Sequence, residues 1–157
     1  MSRDLNGKCL ALVAPFMVDS KCPLYSVRGV FNGILVHGNM LGDAMFYGQG
    51  AGKLATASAV VSDIIQCASN IGRNIGCRWE DEACEMALDS DKKFEYFVRI
   101  DKQAASEFEK SFKTVKSVSL KEASDEIGYV TEMMSEEVFM TEKEKFGNSV
   151  RNYVRIY

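Results

Sequence analysis

Three glycines at alternate positions, Gly48, Gly50 and Gly52, are the residues of this chain best suited to chemistry. They follow the short run Ala44–Tyr47, which reads as a strand, and they lead into a segment of helical period. A strand, a bare stretch of backbone and a helix start let a phosphate or a sugar approach closely. Glycine removes the side chain that would hold such a ligand off, and the free N–H groups of a first helical turn favour an anion. The order Gly48-Gln49-Gly50-Ala51-Gly52 is not the G-x-G-x-x-G dinucleotide fingerprint, and a turn needed only for packing has the same composition.

Other reactive side chains offer less. His37 is the only histidine, so no histidine pair exists to build a metal site, and no base or nucleophile partner is evident; it reads as structural or surface. The five cysteines (Cys9, Cys22, Cys67, Cys77 and Cys84) are odd in number and form no zinc-ribbon or CxxC spacing. They read as reduced thiols acting as small hydrophobes, Cys67 most clearly because it falls within an apolar helical pattern. No metal ligand set and no catalytic residue is assigned.

The 157 residues are enough for one ordinary domain or two small ones. A hydrophobic content of 46% with 26% charged residues is that of a globular protein, and the net charge of -3 gives no reason to expect nucleic acid or lipid as a partner. No apolar run is long enough for a membrane span, and the start MSRDLNGK lacks the basic and apolar stretches of a signal peptide. The expectation is a cytoplasmic protein.

The elements that would hold the glycine cluster lie in a first half rich in Gly, Ala and Val. Cys9–Val18 is nearly all apolar and reads as a strand covered on both faces, ending or bulging near Pro15. Gly29–His37 reads as a second strand interrupted by Gly33, with a turn at Gly38-Asn39. Beyond the glycines, Ala57, Val60, Val61, Ile64, Ile65, Ala68 and Ile71 recur on one helical face. Thr56 or Ser58 is the expected N-cap, and Asn70-Ile71-Gly72 the stop.

Residues 74–93 form a polar, acidic connector. After it, the pattern reads strand, helix, strand, strand, helix, strand: Phe94–Ile100, Gln103–Lys113, Val115–Leu120, Ile127–Met133, a helix capped by Ser135, and Ser149–Tyr157. A turn is expected at Ser124-Asp125-Glu126. Glu136 and Glu137 suit the positive end of the fifth element, and Lys143, Lys145 and Gly147 suit its other end. That order describes a ferredoxin-like βαββαβ sandwich.

Several long motifs carry a resemblance. Pro-Leu-x-x-Val at Pro23–Val27, Phe-Asn-x-Ile at Phe31–Ile34, Gly-Asp-x-Met-Phe-Tyr-Gly at Gly42–Gly48, and Gly-Ala-Gly-x-x-x-Thr-Ala-Ser-Ala-Val-Val-x-Asp at Gly50–Asp63 stand in order. Together, over about residues 8–73, they resemble the end of the catalytic region of homoserine dehydrogenases. The resemblance implies NAD(P)-dependent interconversion of aspartate 4-semialdehyde and homoserine, on the route to threonine, isoleucine and methionine. It places the glycine turn beside the nicotinamide cofactor, with Gly52 foremost in contact and Gly50 and Ala51 next to it. Cys22 stands where bacterial relatives commonly have histidine, and Ala55 where many have proline.

The family's N-terminal Rossmann domain and the segment carrying its catalytic lysine have no match here, and Lys53 lies in the wrong motif to replace that lysine. The expected fold class is therefore α+β. A C-terminal piece of a mixed-sheet catalytic domain (1–73) is followed by a linker (74–93) and a ferredoxin-like module (94–157). That last module resembles the regulatory ACT domain of many bacterial relatives, which implies an amino-acid effector, typically threonine, and marks Asp101 as an effector contact. The usual Asp-x-Pro-Gly turn is replaced by Asp101-Lys102-Gln103-Ala104-Ala105. Alone, the chain is expected to lack dehydrogenase activity and to bind no cofactor. Its expected partners are the missing N-terminal region and further copies of itself, in a homodimer or higher oligomer. A stand-alone regulatory module and a degenerate structural dimerisation unit are the alternative readings.

Overall fold

The computed structural model of the chain describes residues 2–5, 7–73, 76, 81–88, 91–119 and 125–157. In chain order the elements are β1 (Ser2–Leu5), β2 (Lys8–Ala11), β3 (Phe16–Met17), β4 (Phe31–Gly38), β5 (Gly42–Gln49) and α1 (Lys53–Ser69). There follow β6 (Lys93–Asp101), α2 (Ala105–Ser111), β7 (Thr114–Ser119), β8 (Glu126–Thr131), β9 (Met134–Ser135), α3 (Glu136–Glu144) and β10 (Val150–Ile156). They fall into two compact units, one of residues 1–17 with 82–157, the other of residues 18–81. Much of the expected connector 74–93, and the Ser124 end of the expected turn, lie outside the described residues.

The larger unit is a mixed sheet in the order β3-β10-β6-β8-β7, with β9 pairing the start of β6 and a β1–β2 hairpin beside it. Only β3 runs parallel to its neighbour. The period-two pattern of β6 turns Phe94, Tyr96, Val98 and Ile100 to one face, where each is 5% exposed or less. Phe108 of α2, Phe112 and Phe139 of α3 pack on that same face together with Tyr129. Ring contacts tie the layers: Tyr96 stacks on Phe139 with centroids 3.8 Å apart, and Phe108 on Phe112 at 4.4 Å. As expected, Ser135 caps α3, accepting a hydrogen bond from the Val138 N–H, and Glu136 and Glu137 occupy the first turn.

Three departures from the sequence reading have local causes. The apolar run Cys9–Val18 is not one strand, because its ends pair with different partners. β2 pairs with β1 and hydrogen-bonds to residues 85–87, whereas β3 pairs with β10, and Pro15 interrupts the stretch between them. The expected strand Ile127–Met133 stops at Thr131, whose Oγ1 turns inward and accepts the Tyr96 N–H at 3.1 Å in place of a backbone carbonyl. The expected helix Gln103–Lys113 begins instead with a tight 3-10 turn at Lys102–Ala104.

Burial sets the ionisation of two tyrosines. It pushes the Tyr96 hydroxyl up to about 12, with Glu136 adding to the effect and Arg155 opposing it. Burial likewise holds Tyr129 at about 12, reinforced by the hydrogen bond its hydroxyl donates to Glu109 Oε1. An unfolded tyrosine ionises near pH ~10. The stabilisation tied to these protons is thus complete below that pH and is lost as pH rises toward the folded values. In an alkaline titration, two of the six tyrosines should ionise late and together with loss of circular dichroism. Ionisation of all six in one early step, with the fold intact, would contradict this.

The smaller unit holds β4, β5 and α1. β4 and β5 form an antiparallel hairpin in continuous register from Gly38↔Gly42 at the turn to Phe31↔Gln49 at the open end. Gly33 does not interrupt β4. A methyl group there would stand 2.8 Å from Leu24 Cδ2 and 2.9 Å from Met45 Cε, so glycine lets the 3-10 turn Pro23–Ser26 settle on the strand. α1 starts one turn earlier than Thr56 and ends as expected, with Asn70 at its C-cap. Its apolar stripe buries nothing: Val60, Val61, Ile64 and Ile65 are all more than half exposed. Cys67 is therefore exposed rather than buried.

Candidate functional site

The open end of the hairpin carries the chain from β5 through Gly50, Ala51 and Gly52 into α1. The glycines of this cluster differ in what they require. A side chain at Gly48 would meet nothing within 4 Å. At Gly50 an added Cβ would lie 2.3 Å from Asn32 Nδ2, so a side chain there would have to displace the end of the Asn32 side chain. Gly52 has open space but sits at φ 121 and ψ 149, a conformation in which L residues are strained.

Gly52 is also the N-cap of α1. Its carbonyl accepts the Thr56 N–H at 3.0 Å, which opens the helical ladder and leaves the N–H groups before it outside the ladder. No side chain caps them, and no acidic residue lies in the first turn. Neither Thr56 nor Ser58 serves as the cap expected from sequence, because the positive φ of Gly52 lets the helix begin directly after the strand. Gly50, Ala51 and Gly52 are all exposed. The arrangement offers an approachable backbone followed by the positive end of a seventeen-residue helix.

The other sequence candidates lie elsewhere. Asp101 ends β6 but does not cap the turn that follows; its carboxylate accepts from Arg151 Nε at 2.7 Å and Nη2 at 3.2 Å. That hydrogen bond, with the accompanying charge, raises the Arg151 guanidinium above its ordinary value. Arg99 and Glu126 form a second pair nearby on the sheet, at 2.7 Å. His37, read as lacking a partner, has one: its Nδ1 lies 2.6 Å from Asp43 Oδ1. The signal was present in sequence, since His37 and Asp43 stand symmetrically outside Gly38 and Gly42 and face each other once the hairpin closes. No group of three or more His, Cys, Asp or Glu gathers to hold a metal among the described residues, and no helix of theirs is long and apolar enough to cross a membrane.

The hairpin, the glycine turn and most of α1 lie in a stretch that resembles known proteins. Residues 4–65 match the homoserine dehydrogenase family. The homoserine dehydrogenase of Synechocystis sp. is 58% identical over 53 residues, which are 34% of this chain and 12% of that protein. That of Mycobacterium leprae is 44% identical over 80 residues, 51% of this chain and 18% of that protein. The fold of a homoserine dehydrogenase from Thiobacillus denitrificans superposes with a TM-score of 0.76 at 18% identity, over 99% of this chain and 41% of that one. An S. aureus homoserine dehydrogenase structure gives 0.66 at 25% identity, over 99% and 40%. The chain matches a fragment of homoserine dehydrogenase, and spans well under half of each of these relatives.

Proposed function

We propose that the chain is the C-terminal portion of a cytoplasmic homoserine dehydrogenase, contributing the cofactor-contact turn, part of the dimerisation surface and a regulatory module to the NAD(P)-dependent interconversion of aspartate 4-semialdehyde and homoserine. The observation that carries this reading is the Gly50–Gly52 backbone leading into an uncapped helix, within the stretch that matches the family. Gly52, Gly50 and Ala51 suit a cofactor contact because none of them carries a side chain larger than methyl, although Asn32 lies against one side of Gly50. The chain's own residues then orient the nicotinamide end of the dinucleotide, while hydride transfer needs substrate, cofactor and proton donor held together. Those remaining groups belong to the N-terminal nucleotide-binding and catalytic region.

Exposed apolar side chains support a partner for this half: Ile34 and Phe46 on the hairpin, and Val60, Val61, Ile64 and Ile65 on α1. A second copy of the chain and the family's N-terminal nucleotide-binding and catalytic region are the occupants proposed. The test adds the N-terminal region of a relative in trans. We expect no homoserine-dependent reduction of NAD(P) by the chain alone and measurable turnover by the mixture. Robust turnover by the chain alone would overturn the first expectation, and an inert but well-formed complex would overturn the second.

For residues 94–157 the antiparallel order β10-β6-β8-β7, with α2 and α3 on one face, supports the ferredoxin-like and ACT-like reading. An amino-acid effector such as threonine would meet an Asp101 already paired with Arg151. Calorimetry with threonine, isoleucine and methionine belongs in the same experiment. Heat with one of them favours the regulatory role, and silence with all three favours a structural one.

A further inference from the structure

We propose that Asn32 is a positioning residue of the glycine turn, its carboxamide packed on the bare Cα of Gly50 so that the chain takes one path from β5 into α1. Asn32 stands on β4 directly opposite Gly48. That partner has no side chain, so the Asn32 side chain has room to reach along the open end of the hairpin instead of meeting a cross-strand neighbour. It runs past residue 50: a Cβ built there would lie 2.3 Å from Nδ2, 3.0 Å from Cγ and 3.6 Å from Cβ of Asn32. Gly48 and Gly52 have no such neighbour within 4 Å. Gly50 has no positive φ, so the contact with Asn32, rather than backbone conformation, is what a side chain at that position would disturb.

The two residues after this contact are Ala51 and Gly52, and the helix begins at Lys53. A side chain that fixes Gly50 therefore sets where Gly52, at its positive φ, and the first free N–H groups stand. The consequence for ligand binding rests on the reading of this turn as a cofactor contact; the packing itself does not.

The test uses the full chain and a substitution cycle. Gly50→Ala is expected to shift the backbone amide resonances of residues 49–54 and to speed hydrogen exchange at the Thr56 amide, which bonds the Gly52 carbonyl. Asn32→Ala alone should shift the same amides. It removes the atoms at 2.3 and 3.0 Å and leaves an ordinary contact at 3.6 Å, so adding Gly50→Ala to it should change the spectrum much less than Gly50→Ala changes the wild type. Equal shifts from Gly50→Ala in the two backgrounds, or no shift from Asn32→Ala alone, would overturn the proposal. If Gly50→Ala fails to fold, recovery of a folded spectrum in the double variant supports the contact, and a still unfolded double variant counts against it. In the complex completed in trans, Asn32→Ala should raise the KM for the dinucleotide roughly tenfold, within the scale on which a small misplacement of a positioned element acts, with a smaller change in kcat. An unchanged KM there would overturn the positioning role. If the wild-type complex does not turn over at all, the functional reading fails while the substitution cycle still decides where Asn32 packs.

Discussion

Replacing Phe139 with alanine should cost the larger unit about 3–5 kcal/mol, the range for deleting a buried aromatic ring that its surroundings cannot refill. Phe139 is fully buried, stacks on Tyr96 at 3.8 Å, and meets the rings of Phe112 and Tyr153 at 5.8 and 5.0 Å. Those three partners come from β6, the end of α2 and β10, so the missing ring would leave a gap that no single neighbour can close. Small domains are stable by only ~5–15 kcal/mol, so a loss of this size removes a large share of the unit's stability. Urea unfolding followed by circular dichroism reads the change as a lower midpoint. Val138→Ala, at the preceding residue of the same helix and 50% exposed, is the control and should stay within about 0.5 kcal/mol. Equal losses from the two substitutions would mean that the stack is not the centre of this core.

What made this core legible in the sequence was period. Phe94, Tyr96, Val98 and Ile100 alternate without interruption, and a strand with one buried face has no other way to satisfy them. The Ser135 cap with its two following glutamates was equally readable, because both signals are local to the chain. Partner choice was not. The run Cys9–Val18 shows apolarity but not that its ends pair with different strands, and Thr131 looks like one more strand residue until its hydroxyl takes the Tyr96 N–H. The α1 stripe shows the same limit, since a helical period says which side chains share a face and nothing about what covers them. At the candidate site, three glycines at equal spacing look equivalent in sequence. Only coordinates separate a position with open space, one pressed by Asn32 and one at positive φ.

The ion pair between Arg155 and Glu136 supplies a second large effect, whose size depends on which partner is removed. Arg155 Nη2 donates to Glu136 Oε1 at the first turn of α3, and the Arg155 side chain is only 12% exposed. Glu136→Ala leaves a largely buried guanidinium without its anion. We expect a loss of about 3 kcal/mol, the lower end of the range for breaking a buried pair, because Glu136 itself keeps 33% of its side chain exposed. Arg155→Met should cost less, since it removes the charge that is expensive to bury and with it a buried Nε that has no hydrogen-bond partner. Combining Arg155→Met with Glu136→Leu should recover most of the loss, as apolar replacements of buried pairs commonly do. Tyr96 gives an independent readout within the same cluster. Glu136 raises its ionisation and Arg155 lowers it, so Glu136→Ala should move the Tyr96 titration down and Arg155→Met should move it up. Stability changes without these opposite displacements would place the energetic effect outside the Tyr96–Glu136–Arg155 cluster.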